Sequence, residues 1–162
     1  MPLLQKTFKS SIYTINTLFN TVSNKLYRNK YQEVSKHFQE TCSPILKSYL
    51  GNDYEKHINF NSNKLQRVKV HESPNLGLSL YVVYWPKNYI EQAMYIQHNG
   101  CLMKILKGTL TQEKYITNGI PQHVLYNKIR ETYNVSYHTS NEIYKTINPT
   151  LKEAVSLNMY IS

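Results

Sequence analysis

The sequence predicts a mainly β protein, a barrel or sandwich, preceded by helices. Three observations carry this: apolar residues at helical spacing near the start, a change of texture at Leu65, and turn signals at intervals from there to the end. Phe8, Ile12, Ile15, Leu18, Phe19, Val22 and Leu26 share one helical face and predict a helix from about Lys6 to Leu26. A second helical pattern runs from Tyr31 to Tyr49. It is interrupted at Ser43-Pro44, where proline suits the first turn of a fresh helix. Gly51-Asn52-Asp53 ends this part. The remainder consists of short runs rich in Val, Ile, Tyr and Leu, including an apolar strand over 76–85. They are separated by Ser73-Pro74-Asn75, His98-Asn99-Gly100, Asn118-Gly119 and Asn148-Pro149. No internal repeat, low-complexity tract or linker marks a second core. The chain therefore divides into a basic N-terminal helix, residues 1–30, and a β-rich domain with a helical start, residues 31–162.

Composition bounds the function. A chain of 162 residues with 41% apolar content and 15 tyrosines builds one globular core. It lacks the run of about twenty apolar residues that a membrane span needs, so it is expected to be soluble or peripheral to a membrane. Cys42 and Cys101 are the only thiols, and without a secretory signal pattern both are expected to be reduced. The formal charge is +9 and its distribution is uneven. No acid precedes Glu33, while Lys6, Lys9, Lys25, Arg28 and Lys30 do, which leaves +4 over the rest. A basic, acid-free, Ser/Thr-rich amphipathic start matches a mitochondrial targeting segment, or a helix that docks on the barrel or on a partner.

Common catalytic patterns are missing: there is no G-x-x-x-x-G-K, G-x-G-x-x-G, G-x-S-x-G or C-x-x-C, and the nine glutamates are scattered singly. None of the six histidines forms an H-x-H pair, and they are expected on the surface or in hairpin turns. A rearranged iron site would have to draw on His98 and His138.

Cys101-Leu102-Met103-Lys104-Ile105-Leu106-Lys107-Gly108 carries a more specific signal, because Trp85 lies sixteen residues ahead of it and Ala154-Val155-Ser156-Leu157-Asn158-Met159-Tyr160 closes the chain. With Arg67 and Tyr144-Lys145-Thr146-Ile147-Asn148, these stretches make residues 46–160 resemble cysteine dioxygenase, a cupin. The resemblance implies a cupin-type β-barrel, or jelly roll, in which Cys101 and Gly108 belong to the first metal-binding motif and Asn148 to the second. It puts the three iron-binding histidine slots at Met94, Ile96 and Tyr144, none of which supplies an imidazole. By the same resemblance Arg67 stands at the substrate-carboxylate arginine, Trp85 at the family tryptophan, and Tyr160 at the tyrosine that crosslinks to the cysteine. Leu65 and Asn158 replace a tyrosine and a histidine around the site.

The implied protein has no metal, no cofactor and no catalytic residue. Cys101 is expected to behave as a small buried apolar group, Tyr160 to be held by packing and one hydroxyl hydrogen bond, and Arg67 to find its partner in Glu72, Glu142 or another chain. The function expected first is a structural or accessory subunit of a larger assembly, mitochondrial, with a respiratory-chain complex ahead of the mitochondrial ribosome. An RNA-contacting basic module is the second reading, and an active thiol dioxygenase with a rearranged iron site the third.

Overall fold

Residues 11–28, 34–95, 99–117, 121–131, 135–139 and 142–162 are described by the computed structural model of the chain. Helix α1 (Ile15–Arg28) buries Ile15, Leu18, Phe19, Val22 and Leu26 on one stripe and ends with Lys25 and Arg28 at its electronegative C-terminus. Its first turn is capped twice. Thr14 Oγ1 accepts from Thr17 N at 3.1 Å, and Asp53 Oδ2 accepts from Ile15 N at 2.9 Å. The helix expected from Lys6 to Leu26 is not continuous: residues 6–10 lie outside the described residues, and residues 11–14 are not helical for a backbone reason. Ile12 donates to Ser48 O at 2.9 Å and accepts from Leu50 N at 2.7 Å, so its polar groups are committed to a parallel bridge with Tyr49. The chains pass so closely here that a side chain at Gly51 would reach within 2.0 Å of Tyr13 O.

Helix α2 (Val34–Lys47) runs through Pro44 without the expected interruption. One rung is lost in the final turn, and burial of Cys42, Leu46 and the following Tyr49 offsets it. No helix among the described residues is long and apolar enough to cross a membrane.

The strands are β1 (Gln66–Ser73), β2 (Leu78–Trp85), β3 (Met94–Tyr95), β4 (Gly100–Lys107), β5 (Thr109–Thr117), β6 (Pro121–Glu131), β7 (Val135–Thr139), β8 (Ile143–Ile147) and β9 (Ala154–Ile161). They form two antiparallel sheets in the orders β1-β2-β9-β4-β7 and β3-β8-β5-β6. The last strand sits in the middle of the first sheet, between β2 and β4, as the crossovers of a jelly roll require. Gly108 makes the turn from β4 to β5 at φ 77, and a Cβ there would lie 2.8 Å from Glu153 O.

The five-stranded sheet is two-faced. Leu78, Leu80, Val82 and Tyr84 of β2, Leu102 of β4, and Val155, Leu157, Met159 and Ile161 of β9 form one core with the buried stripes of α1 and α2. The apolar stripe of α1 thus packs in one core with α2 and the strands. One cation lies on this face. Lys104 is fully buried and its Nζ donates to Leu46 O at 3.2 Å, Lys47 O at 2.8 Å and Tyr49 O, capping the carbonyl end of α2. Burial lowers its ammonium to about 8.

Candidate functional site in the barrel interior

Residues 81, 83 and 85 of β2, 101, 103 and 105 of β4, 136 and 138 of β7, and 154, 156, 158 and 160 of β9 alternate with the helix-facing set and project between the sheets. Cys101 stands at the centre. It is in register with Tyr160 on one neighbouring strand and with His138 on the other. The thiol is fully buried and burial pushes it up to about 12, although the Tyr160 and Tyr144 hydroxyls oppose the rise. A thiol held protonated in this way is neither a nucleophile nor a ready metal ligand.

Tyr144 packs against Cys101, and its ring stacks on His138 with centroids 4.1 Å apart and planes 17° from parallel. Burial raises the Tyr144 phenol well above its ordinary value. His138 is 1% exposed, and its Nε2 meets Gln112 Oε1 at 3.2 Å. Its Nδ1 lies 3.5 Å from Glu142 Oε2, an ion-pair separation rather than a hydrogen bond, and has no hydrogen-bond partner. The His138 ring and the Lys114 ammonium, 2.5 Å away, hold the Glu142 carboxyl down at about 2.

A second polar chain runs along β9. Trp85 Nε1 donates to Ser156 Oγ at 2.9 Å, Ser156 donates to Asn158 Oδ1 at 2.7 Å, and Asn158 Nδ2 donates to the Tyr160 hydroxyl at 3.3 Å. Tyr81 meets Tyr160 edge to face at 5.6 Å. At the outer end the Arg67 guanidinium lies 5.5 Å from the centroid of the Trp85 ring and pairs with Glu91. Glu91 also accepts from Thr146 N at 3.1 Å. Burial raises the Glu91 carboxyl above its ordinary range while Arg67 opposes the shift.

Solved structures of the same architecture exist. The Cnp3 cupin domain of Schizosaccharomyces pombe superposes with a TM-score of 0.54 at 12% identity, over 66% of this chain and 66% of that one. A Klebsiella pneumoniae protein with a double-stranded β-helix domain gives 0.53 at 9% identity, over 67% and 85%. The chain has a cupin fold. An RmlC-like cupin from Methanocaldococcus jannaschii adds 0.51 at 10% identity, over 64% and 85%. No family model and no curated protein matches the sequence. Identities this low speak for the cupin fold and not for an activity.

Within the cupin barrel, Tyr144 is a buried interior residue, and Met94 is its partner in the β3–β8 ladder. Ile96 and His98 lie outside the described residues. The iron that the dioxygenase resemblance brings to mind does not fit the side chains found here. Among the described residues the interior donors are one imidazole engaged with Gln112, a buried thiol, buried phenols and the Glu91 carboxylate held by Arg67. No three His, Cys, Asp or Glu side chains converge among the described residues.

Two expectations are corrected by the geometry. Arg67 does not pair with Glu72 or Glu142, which serve Lys69 and Lys114. Its partner Glu91 lies on an irregular segment 24 residues away, where no sequence pattern links the two. His138 is not a surface or turn histidine: position 138 alternates inward on β7. Asn148 anchors backbone, with Nδ2 donating to Trp85 O at 3.2 Å, Pro86 O at 3.1 Å and Lys152 O at 2.7 Å. Gln112, Ser156 and Lys104 also escaped sequence reading, since each is a common residue type whose role depends on a partner distant in the chain.

Proposed function

We propose that this cupin is a non-catalytic relative of the cysteine dioxygenases that serves as a structural or accessory subunit of a larger assembly. The observation that carries the reading is Tyr144. At the place the resemblance gives the third ligand stands a buried phenol, packed on Cys101 and stacked on His138, which supports a barrel interior without an imidazole at that position. Arg67, the position the resemblance gives to a substrate carboxylate, is met by the chain's own Glu91. The acid-free basic start favours a mitochondrial assembly, with a respiratory-chain complex tested first and the mitochondrial ribosome second.

The test of the chemistry is purification under anaerobic conditions with ferrous iron, followed by metal analysis and cysteine-dependent oxygen uptake. The expected result is neither bound iron nor turnover. Near-stoichiometric iron with turnover sinks the proposal. Met94→His, Ile96→His and Tyr144→His combined are expected to leave the chain without robust activity, because Leu65 and Asn158 do not orient the ligands. The test of the assembly is the size at which the full chain migrates in a native cell extract, where a free monomer overturns the subunit reading.

A further inference from the structure

At the outer edge of the four-stranded sheet, β3 pairs with no strand but β8 among the described residues. Ile90 extends the β3 edge by an antiparallel bridge to Ile147. On either side of it, Asn148 N donates to Tyr89 O at 2.8 Å and Glu91 N donates to Thr146 O at 3.1 Å. That pattern makes Ile90 and Ile147 a non-hydrogen-bonded pair, so the amide and carbonyl of Ile90 point away from β8, along the open edge. The Ile90 side chain is 65% exposed and Leu151 is 80% exposed.

These groups stand on a braced platform rather than a loose loop. Asn88 N donates to Thr150 O at 3.0 Å, and the Asn148 amide ties Pro86 O to Lys152 O, so residues 86–90 and 147–152 form one unit. Its charge is one-sided. The neighbouring acids are engaged, Glu91 with Arg67 and Glu153 with Lys107, whereas Lys87 and Lys152 are exposed. A strand edge with outward backbone groups, apolar side chains and flanking lysines has the makings of β-strand addition. Because the chain carries +9, a second copy meets it with like charge, and the complementary occupant is acidic.

We propose that the edge formed by Ile90, Leu151, Lys87 and Lys152 docks an extended acidic segment of a partner protein, which adds as a strand beside Ile90, rests an apolar side chain on Ile90 and Leu151, and sets carboxylates against the two lysines. This inference rests on the subunit reading and names its docking surface. The probe is a short synthetic peptide of alternating valine and glutamate, with a valine–lysine peptide and a proline-interrupted acidic peptide as controls, added to the full-length chain and followed by amide shifts and fluorescence anisotropy. The acidic peptide is expected to move amides in 87–91 and 147–152. Leu151→Asp and Lys152→Glu, both surface changes, are each expected to weaken it about tenfold, and both control peptides to fail.

Equal binding to the Leu151→Asp variant, shifts elsewhere, binding of the valine–lysine peptide, or a dimer in solution that Leu151→Asp dissolves each overturns the proposal. If the peptide fails while the chain still migrates with a large complex, this edge is excluded and the subunit reading stands. If the peptide binds while the chain migrates as a monomer, the edge stands and the subunit reading falls.

Discussion

The two faces of the five-stranded sheet are built from the same strands by strict alternation, yet they differ in kind. The helix-covered face is a continuous apolar core from Ile12 to Ile161, broken by one lysine that caps a helix. The barrel face carries a thiol, phenols, an imidazole, amides and a buried carboxylate, most of them hydrogen-bonded to one another. Apolar burial gains free energy in proportion to area and is indifferent to partner, whereas buried polar groups are tolerated only where each finds a partner. Stability is therefore expected to reside mainly on the helix side, and the fine geometry on the barrel side.

Removing one face altogether is the strongest way to break this contrast. Deleting residues 1–28 uncovers the strand residues beneath α1 and discards six buried apolar side chains among the described residues, Ile12, Ile15, Leu18, Phe19, Val22 and Leu26. At about 1.5–3 kcal/mol each, their loss is comparable with the whole stability of a domain of this size. The truncated chain is expected to lose its cooperative thermal transition by circular dichroism, and a sharp transition near that of the full chain shows that α1 is an appendage.

Single substitutions compare the faces directly. Leu80→Ala on the helix side is expected to cost about 2–5 kcal/mol in urea unfolding. Cys101→Ala on the barrel side removes one buried heavy atom and is expected to cost about 1 kcal/mol. Equal costs erase the distinction. The Cys101 thiol should also resist alkylation in the folded chain and react once it unfolds, because burial holds it at about 12.

Lys104→Met tests the exception on the apolar face. It removes the lysine donor from the carbonyls of Lys47 and Tyr49, and from Leu46 O, which keeps Tyr49 N at 3.2 Å, and is expected to destabilise by about 1–3 kcal/mol despite the apolar replacement. A neutral or stabilising outcome shows that the desolvation of the ammonium outweighs its capping bonds.

A pH dependence on the barrel side is a further modest effect. Glu142 titrates at about 2 in the folded chain, below the roughly 4.3 of a free glutamate. A depressed folded value means that its contribution is complete above the unfolded value and is lost as pH falls from about 4.3 to about 2. Discounted for its remaining contact with water, that contribution is about 1–2 kcal/mol. The urea-unfolding free energy of Glu142→Gln should fall less steeply than that of the parent across this window, and parallel slopes contradict the assignment.

Much of the fold was legible in the residues. The switch from helical to strand spacing near Leu65, the apolar strand that ends at Trp85 and the closing 154–160 strand appear in place, because each is a local pattern enforced by side-chain alternation. The helix limits were less so. Ile12 continues the apolar period of α1, but its backbone is claimed by Ser48 and Leu50, and periodicity records which face a side chain takes rather than where a backbone hydrogen bond goes. Pro44 misled in the opposite direction, since burial around it outweighs one missing rung.

By itself the sequence determined the mainly β class and the burial of Cys101 as a small apolar group. Only the tertiary structure decided that Glu91 answers Arg67, that His138 faces inward beneath Tyr144, and that Lys104 closes α2. Those pairs join residues separated by 24, 6 and roughly 55 positions or more, and nothing local to either partner specifies the other. Hydrophobic period is a one-dimensional property and can be read along the chain. The partner of a buried charge or ring is set by how two sheets and two helices close around it, and that is settled only in three dimensions.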